Sequence, residues 1–101
     1  MTKQTYSEFI AEDRRLSILL ILKECARYSA NEHLISQGLD NCGHYVAADQ
    51  LYADLVMLEE KRVLNLSEIG DMTIATLTRL GQDVAEGRTV IEGIKRPNAG
   101  A

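Results

Sequence analysis

The chain has 101 residues, of which 46% are hydrophobic, 26% are charged and 5% are aromatic. This length and balance predict one small soluble domain and exclude a two-domain enzyme, as well as collagen-like, coiled-coil and disordered proteins. The 15 acidic and 11 basic residues leave a net charge of −4, so a surface that binds nucleic acid would need a local basic patch.

The chain carries no pattern that is typical of membrane insertion or secretion. Its longest nearly apolar run, residues 16–22, is shorter than the roughly 18 to 20 residues that span a bilayer. Charged residues at positions 8 and 12–15 interrupt any signal-peptide pattern. The two cysteines, Cys25 and Cys42, are too few for a disulfide scaffold and suit a reducing compartment. We therefore expect an intracellular protein without membrane contact.

The first predicted element is a long helix from about Thr5 to Ala26, which begins with a capping box formed by Thr5 and Glu8. Two apolar stripes run along this helix, although one core face needs only one. Either both stripes are covered by the domain itself, or the second stripe contacts another copy in a homodimer. The main stripe consists of Ala11, Ile18, Leu19, Leu22, Cys25 and Ala26, and the second of Phe9, Leu16 and Leu20.

Two further helices follow. Ser29 and Glu32 repeat the capping-box spacing and predict a short second helix that ends before the turn at residues 40–43. A third helix is predicted from about Ala47 to Lys61. Its buried side is marked by Leu51, Leu55 and Leu58.

The second half of the chain changes to a strand pattern. Residues 63–69 alternate between apolar and polar, and Gly70-Asp71 separates them from a Thr- and Ile-rich run at 72–77, which predicts a β-hairpin. Thr78 is a natural cap for a last helix from about Arg79 to Glu86. Residues 88–101 are expected to form a mobile tail, so the predicted domain covers residues 1–87.

Three helices, a two-stranded hairpin and a short C-terminal helix predict an α+β, mainly helical, winged helix-turn-helix domain. In such domains the third helix is usually offered to the major groove of DNA. The run from Leu51 to Leu64 resembles the recognition helix and following strand of this superfamily. The run from Leu77 to Gly81 resembles the junction between its wing and its last helix.

A narrower resemblance covers nearly the whole chain. Tyr6-Ser7-Glu8-Phe9, residues 11–16, residues 83–88 and Lys95-Arg96-Pro97 resemble a family of small proteins from Mu-like phages and prophages. Members of that family are commonly labelled ArsR-type transcriptional regulators, which implies a DNA-binding protein in the cytoplasm of the bacterial host. Metal-sensing ArsR proteins carry a closely spaced cysteine pair before the recognition helix. No Cys-x-Cys occurs here, so the resemblance does not imply metal sensing.

The third helix is acidic where a DNA reader needs basic side chains. Between residues 47 and 60 there is no Lys or Arg, and the acidic residues are Asp49, Asp54, Glu59 and Glu60. Arg14 and Arg15 are expected to pair mainly with the acids that precede them. If duplex DNA is bound, Gln50 and Tyr52 are the predicted base-facing residues, and Lys61 and Arg62 the predicted phosphate contacts.

The same helix also predicts an exposed apolar patch of Tyr52, Ala53, Val56 and Met57, edged by carboxylates. Such a surface is typical of protein contacts. The alternative is that Val56 and Met57 are covered by the hairpin or by the tail. Two functions stay open: a DNA-binding transcriptional regulator, or an adaptor that binds a phage or host protein and no DNA.

Metal and catalytic signals are weak. Cys42 and His44 form one local pair of metal-ligand residue types, with His33 and Cys25 elsewhere, whereas a structural zinc site usually needs two close pairs. The sequence has no phosphate-cradling glycine loop and no nucleophile elbow. We expect a non-enzymatic protein that forms a homodimer and holds no metal or cofactor. Cys42 and His44 are expected to be turn residues.

Overall fold

The computed structural model describes residues 4–97 and shows an α+β architecture in which helices predominate. The predicted α+β, mainly helical class is thereby confirmed. A single 3-10 turn, Ala26–Tyr28, follows the first helix. The elements in chain order are α1 (Tyr6–Glu24), β1 (Ser29–Asn31), α2 (Glu32–Asn41), α3 (Ala48–Glu60), β2 (Leu64–Ile69), β3 (Met72–Leu77) and α4 (Arg79–Ala85).

The local signals in the sequence place several element ends correctly. The Thr5 side chain accepts a hydrogen bond from the Glu8 backbone N–H at 3.1 Å, so α1 begins with the predicted cap. The Thr78 hydroxyl caps α4 in the same way, through the Gly81 N–H at 3.0 Å. The hairpin turns at Gly70, whose φ of +61° suits a two-residue loop.

The sheet contains a third strand that the sequence analysis misses. Its order is β1-β3-β2, with both pairings antiparallel, and Ser29 pairs with Thr76. The predicted two-stranded hairpin is confirmed as β2 and β3, but the sheet extends beyond it, and the prediction that Ser29 caps the second helix is wrong. Asn31 is the cap instead, because its side chain accepts from the Leu34 N–H at 2.9 Å. A strand of three residues is too short to show an alternating pattern, and its partner lies some 45 residues later.

Helix α1 lies at the centre of the domain and contacts α2, α4 and β3. From its main stripe, Ile18, Leu19 and Leu22 are fully buried. The second stripe is divided, since Leu16 is buried while Phe9 and Leu20 are 44% and 38% exposed. The domain itself therefore covers this second stripe only at its middle.

The C-terminal segment packs where the sequence predicts a mobile tail. We call residues 91–95 the C-terminal strap. Its Ile94 is only 4% exposed and belongs to the core, and Ile91 packs against that core. The Lys95 N–H donates to the Glu12 carbonyl on α1 at 3.2 Å. The predicted tail is corrected over these residues, because Ile91 and Ile94, three positions apart across a turn at Gly93, both pack on the core. Residues 98–101 lie outside the described range.

Candidate functional site

Helix α3 turns one side to the core and the other to solvent. Leu51, Leu55 and Leu58 are buried, as predicted. The opposite side is open, with Tyr52 46% exposed and Ala53 exposed beside it. The spacing of three leucines along the helix therefore decides which residues a partner could reach.

One acidic residue of α3 does not belong to this outward face. Asp54 is 1% exposed and accepts from the Arg14 Nε at 2.5 Å and the Arg14 Nη2 at 3.2 Å. The Arg15 Nε lies 3.5 Å from the same carboxylate. Both the surface position predicted for Asp54 and the pairing predicted for the two arginines are therefore wrong. A carboxylate 40 residues away meets the bidentate geometry of Arg14 better than a neighbour on the same helix can.

The exposed charges of α3 are all negative. Asp49, Glu59 and Glu60 are exposed, and Glu59 also accepts the Leu66 N–H of β2 at 2.8 Å. At the hairpin end, Glu68 and Asp71 are exposed as well. Asp54 neutralises one of the two positive charges of Arg14 and Arg15, and both side chains are largely buried, at 11% and 22% exposure, so they present little positive charge on this surface.

The predicted apolar patch is only partly open. Tyr52 and Ala53 are exposed, whereas Val56 and Met57 are half-buried. Met57 packs against the core, and a Cβ built on Gly93 of the strap would lie 2.8 Å from its Cε atom. Cover by the C-terminal segment, one of the two alternatives drawn from the sequence, therefore applies to Met57.

The residues predicted to contact DNA fall into two separate groups. Gln50 and Tyr52 are exposed near the start of α3, and the Gln50 amide also reaches Asp54 at 3.5 Å. Lys61, which is half-buried, and Arg62, which is exposed, follow the last turn of the helix. At 1.5 Å per residue, about 15 Å of helix separates the two groups.

A second polar cluster, absent from the sequence analysis, links three parts of the chain. The buried His44 places its Nε2 atom 2.7 Å from the Asp13 carboxylate, and the Lys95 Nζ lies 3.1 Å from its other oxygen. Burial raises the pKa of Asp13, but hydrogen bonds and charge from His44 and Lys95 outweigh it, so the pKa lies below its ordinary value. His44 is thus a packed residue, although the sequence predicts a plain turn position.

The sequence comparisons place this molecule in a family. No family model matches the chain. It is 38% identical over 91 residues to the uncharacterized protein gp26 of Escherichia phage Mu, a match that covers 90% of this chain and 94% of that protein. The chain belongs to the phage Mu gp26 family. An uncharacterized protein of Haemophilus influenzae is 37% identical over 76 residues, or 74% of each chain.

The predicted resemblance to small Mu-like phage proteins is thereby confirmed. The names of the two gp26-family relatives carry no regulator label, so the family membership assigns no activity to α3. Between residues 4 and 97, no helix is long and apolar enough to cross a membrane. Over the same range no three potential metal ligands cluster, and Cys25 and Cys42 are free thiols.

A shallow groove lies between α1 and α2. It encloses about 490 Å³ and is mainly apolar. Leu20 and Leu34 form its exposed edges, at 38% and 49% exposure. Its floor is tight, since a Cβ on Gly38 would lie 2.8 Å from the Ile21 side chain. The groove lies on different elements from the outward face of α3.

Proposed function

We propose that this protein is a protein-interaction module on a winged-helix scaffold, and that the outward face of α3 docks a basic partner protein. We call Asp49, Tyr52, Ala53, Val56 and Glu60 the α3 docking face. The scaffold is supported by the order of elements, in which α2 and α3 are followed directly by the β2–β3 hairpin. The phage Mu family membership makes a phage or host protein the natural partner.

The charge of α3 carries this proposal. Every exposed charged residue of the helix is acidic, and the largely buried side chains of Arg14 and Arg15 are directed to the buried Asp54. Such a surface repels the phosphates that supply most of the affinity of DNA-binding proteins. The geometry therefore supports the adaptor better than the regulator.

The chemistry of the docking face also defines the partner. Tyr52 and Ala53 offer an apolar centre, and Tyr is among the residue types that carry the most binding energy at interfaces. Carboxylates at Asp49 and Glu60 lie at the two ends of this centre. A complementary partner presents an apolar contact edged by Lys or Arg, which steers association and fixes the orientation of docking.

A photocrosslinking amino acid at position 52 tests the proposal in cells that carry the phage. Tyr28, which is 41% exposed and lies in the 3-10 turn after α1, provides the matched control position. We expect a cross-linked protein from position 52 only, identified by mass spectrometry and then purified for titration. Tyr52→Ala should weaken its binding at least tenfold, and Tyr28→Ala should leave it unchanged. Cross-linking at neither position, or an acidic contact surface on the captured protein, would refute the proposal.

DNA-directed regulation is the second candidate function, because Gln50 and Tyr52 are exposed on the helix that a winged-helix protein offers to DNA. Fluorescence anisotropy with phage-derived duplexes at about 50 and 200 mM salt separates the two. Ala53→Arg sharpens the test, since it adds a cation to an exposed position. This variant should weaken the binding of a basic protein partner, but it should strengthen the binding of DNA and make that binding more dependent on salt. Tight, salt-sensitive binding by the unmodified chain would favour the regulator.

A further inference from the structure

We infer that the C-terminal strap is an internal competitor of the partner protein: it occupies part of the partner's binding site in the free chain and is displaced on binding. This inference rests on the proposed function of α3. It adds that the full site extends from the α3 docking face, past Met57, to the region of α1 under the strap. A partner then replaces the strap with an apolar side chain followed by a basic one.

The strap binds α1 through a turn, in which the Ile94 N–H donates to the Ile91 carbonyl at 3.2 Å. The Gly93 carbonyl accepts from the Arg15 Nη1 at 2.9 Å, and the Lys95 N–H donates to the Glu12 carbonyl at 3.2 Å. Between these two bonds the Ile94 side chain is buried. The strap therefore crosses α1 over one helical turn, with its backbone bonded on each side of an apolar anchor.

The end of the strap carries the same combination of an apolar and a basic side chain that is expected of the partner. The Lys95 Nζ lies 3.1 Å from the Asp13 carboxylate and 5.4 Å from the centre of the Phe9 ring. An isoleucine followed by a lysine thus fits an apolar hollow next to an acidic group. The α3 docking face selects the same combination, an apolar contact with a basic edge.

The strap also touches α3 directly. Gly93 has a φ of +92°, and a side chain there would collide with Met57 and approach Lys61. The strap is therefore the part of the chain that separates Met57 from solvent on this side. Its release would join Met57 to Val56, Ala53 and Tyr52 in one continuous apolar surface.

The strap is held loosely enough to exchange. The side chains of Asp13 and Lys95 are 33% and 30% exposed, which weakens their ion pair through solvent screening. Val90 and Glu92, on the approach to the strap and within it, are exposed. A segment held by one fully buried side chain, Ile94, one partly buried side chain, Ile91, and half-exposed polar contacts can open without unfolding the domain.

Oxidation of Met57 by hydrogen peroxide, followed by mass spectrometry of the full chain, measures strap opening without any partner. Gly93→Ala strains the left-handed backbone and drives a Cβ toward Met57, and Lys95→Ala removes the contacts to Asp13 and Phe9. Arg96→Ala changes an exposed neighbour and is the matched control. We expect at least threefold faster Met57 oxidation in the first two variants, with Met72 as the unchanged internal reference.

Partner affinity completes the test. If the strap competes with the partner, Gly93→Ala and Lys95→Ala bind the purified partner, identified by cross-linking, at least threefold more tightly than the unmodified chain does. Arg96→Ala binds it as the unmodified chain does. Unchanged Met57 oxidation in both variants, or faster oxidation with equal or weaker binding, overturns the inference. Tyr52→Ala distinguishes the two proposals: if it weakens binding while the strap variants change nothing, only the strap inference fails. If Tyr52→Ala also changes nothing, the α3 docking face itself is wrong.

Discussion

Two neighbouring residues of α1 make ionic contacts of different kinds. Arg14 is turned inward, with a side chain 11% exposed, against Asp54, whose side chain is 2% exposed. Asp13 meets His44 and Lys95 and keeps about a third of its side chain in solvent. The first contact joins two helices, whereas the second attaches a loop and the C-terminal strap to α1.

Burial separates the roles of these contacts. A buried charge that loses its partner remains in an environment that cannot solvate it, so the native state depends on both members of the Arg14–Asp54 pair. A half-exposed charge that loses its partner is solvated by water, so the Asp13 cluster can break locally. The rigid contact fixes which face of α3 points outward, and the labile one holds the segment that covers part of that face.

The largest expected effect comes from Asp54→Ala. This variant leaves Arg14 without its carboxylate in the interior, which costs about 3 to 5 kcal/mol of unfolding free energy. Urea denaturation followed by circular dichroism measures it. Glu60→Ala, which removes an exposed acid from the same helix, should change the free energy by less than about 0.5 kcal/mol. Equal effects of the two variants would contradict the contrast drawn between the contacts.

Arg14→Ala and Arg15→Ala sharpen the comparison within the buried pair. Arg14 makes two short bonds to Asp54, whereas Arg15 approaches at 3.5 Å with a side chain 22% exposed. We expect Arg14→Ala to cost about 2 to 3 kcal/mol and Arg15→Ala about 1 kcal/mol. The same urea titrations test the order. A larger loss for Arg15→Ala would mean that its bond to Gly93 matters more than its approach to Asp54.

The contribution of the Asp13 cluster to the free energy of unfolding is expected to depend on pH. Because the pKa of Asp13 is lowered in the folded chain, its contribution to stability is complete above its ordinary pKa, near 4. The contribution is lost as the pH falls further, through the folded value. Asp13→Asn should cost less than about 1 kcal/mol at pH 7, and its stability should converge with that of the unmodified chain below pH 4. Urea titrations at pH 7, 5 and 3 test this, and a constant difference at every pH would contradict it.

Tyr52→Ala should have the smallest effect on folding. Its side chain is 46% exposed and has no described hydrogen bond, so the free energy of unfolding should change by less than about 0.5 kcal/mol. The thermal midpoint should likewise match that of Tyr28→Ala. This near-zero cost is what allows its loss of partner binding to be interpreted as loss of contact. A clear drop in stability would mean that Tyr52 packs rather than binds.

Local patterns accounted for most of the elements. The Thr5 and Thr78 caps, the leucine spacing of α3 and the Gly70-Asp71 turn each depend on residues within a few positions of one another. Their energies are set by near neighbours and a repeating period, so they can be read without knowing the fold. The outward position of Tyr52 and Ala53 followed from the same spacing.

Contacts between distant residues could not be read in this way. The β1 strand depends on β3, which lies some 45 residues further along, and the strap on α1, which precedes it by about 80. Asp54 looked like a surface acid because nothing near it in the chain marks Arg14 as its partner. Helical spacing places Asp54 on the apolar side of α3, three residues after Leu51 and four before Leu58, but it does not identify the buried cation that Asp54 meets.

The sequence by itself determined the order of the four helices and the hairpin, the caps of α1 and α4, which side of α3 is apolar, and that the chain resembles Mu-like phage proteins. The tertiary structure decided which charges are internal, that Met57 lies under the strap, and that the C-terminal segment docks. The physical reason is that secondary structure follows from periodicity and capping over a few residues. The charge that a surface presents depends instead on which distant side chains neutralise one another when the elements pack.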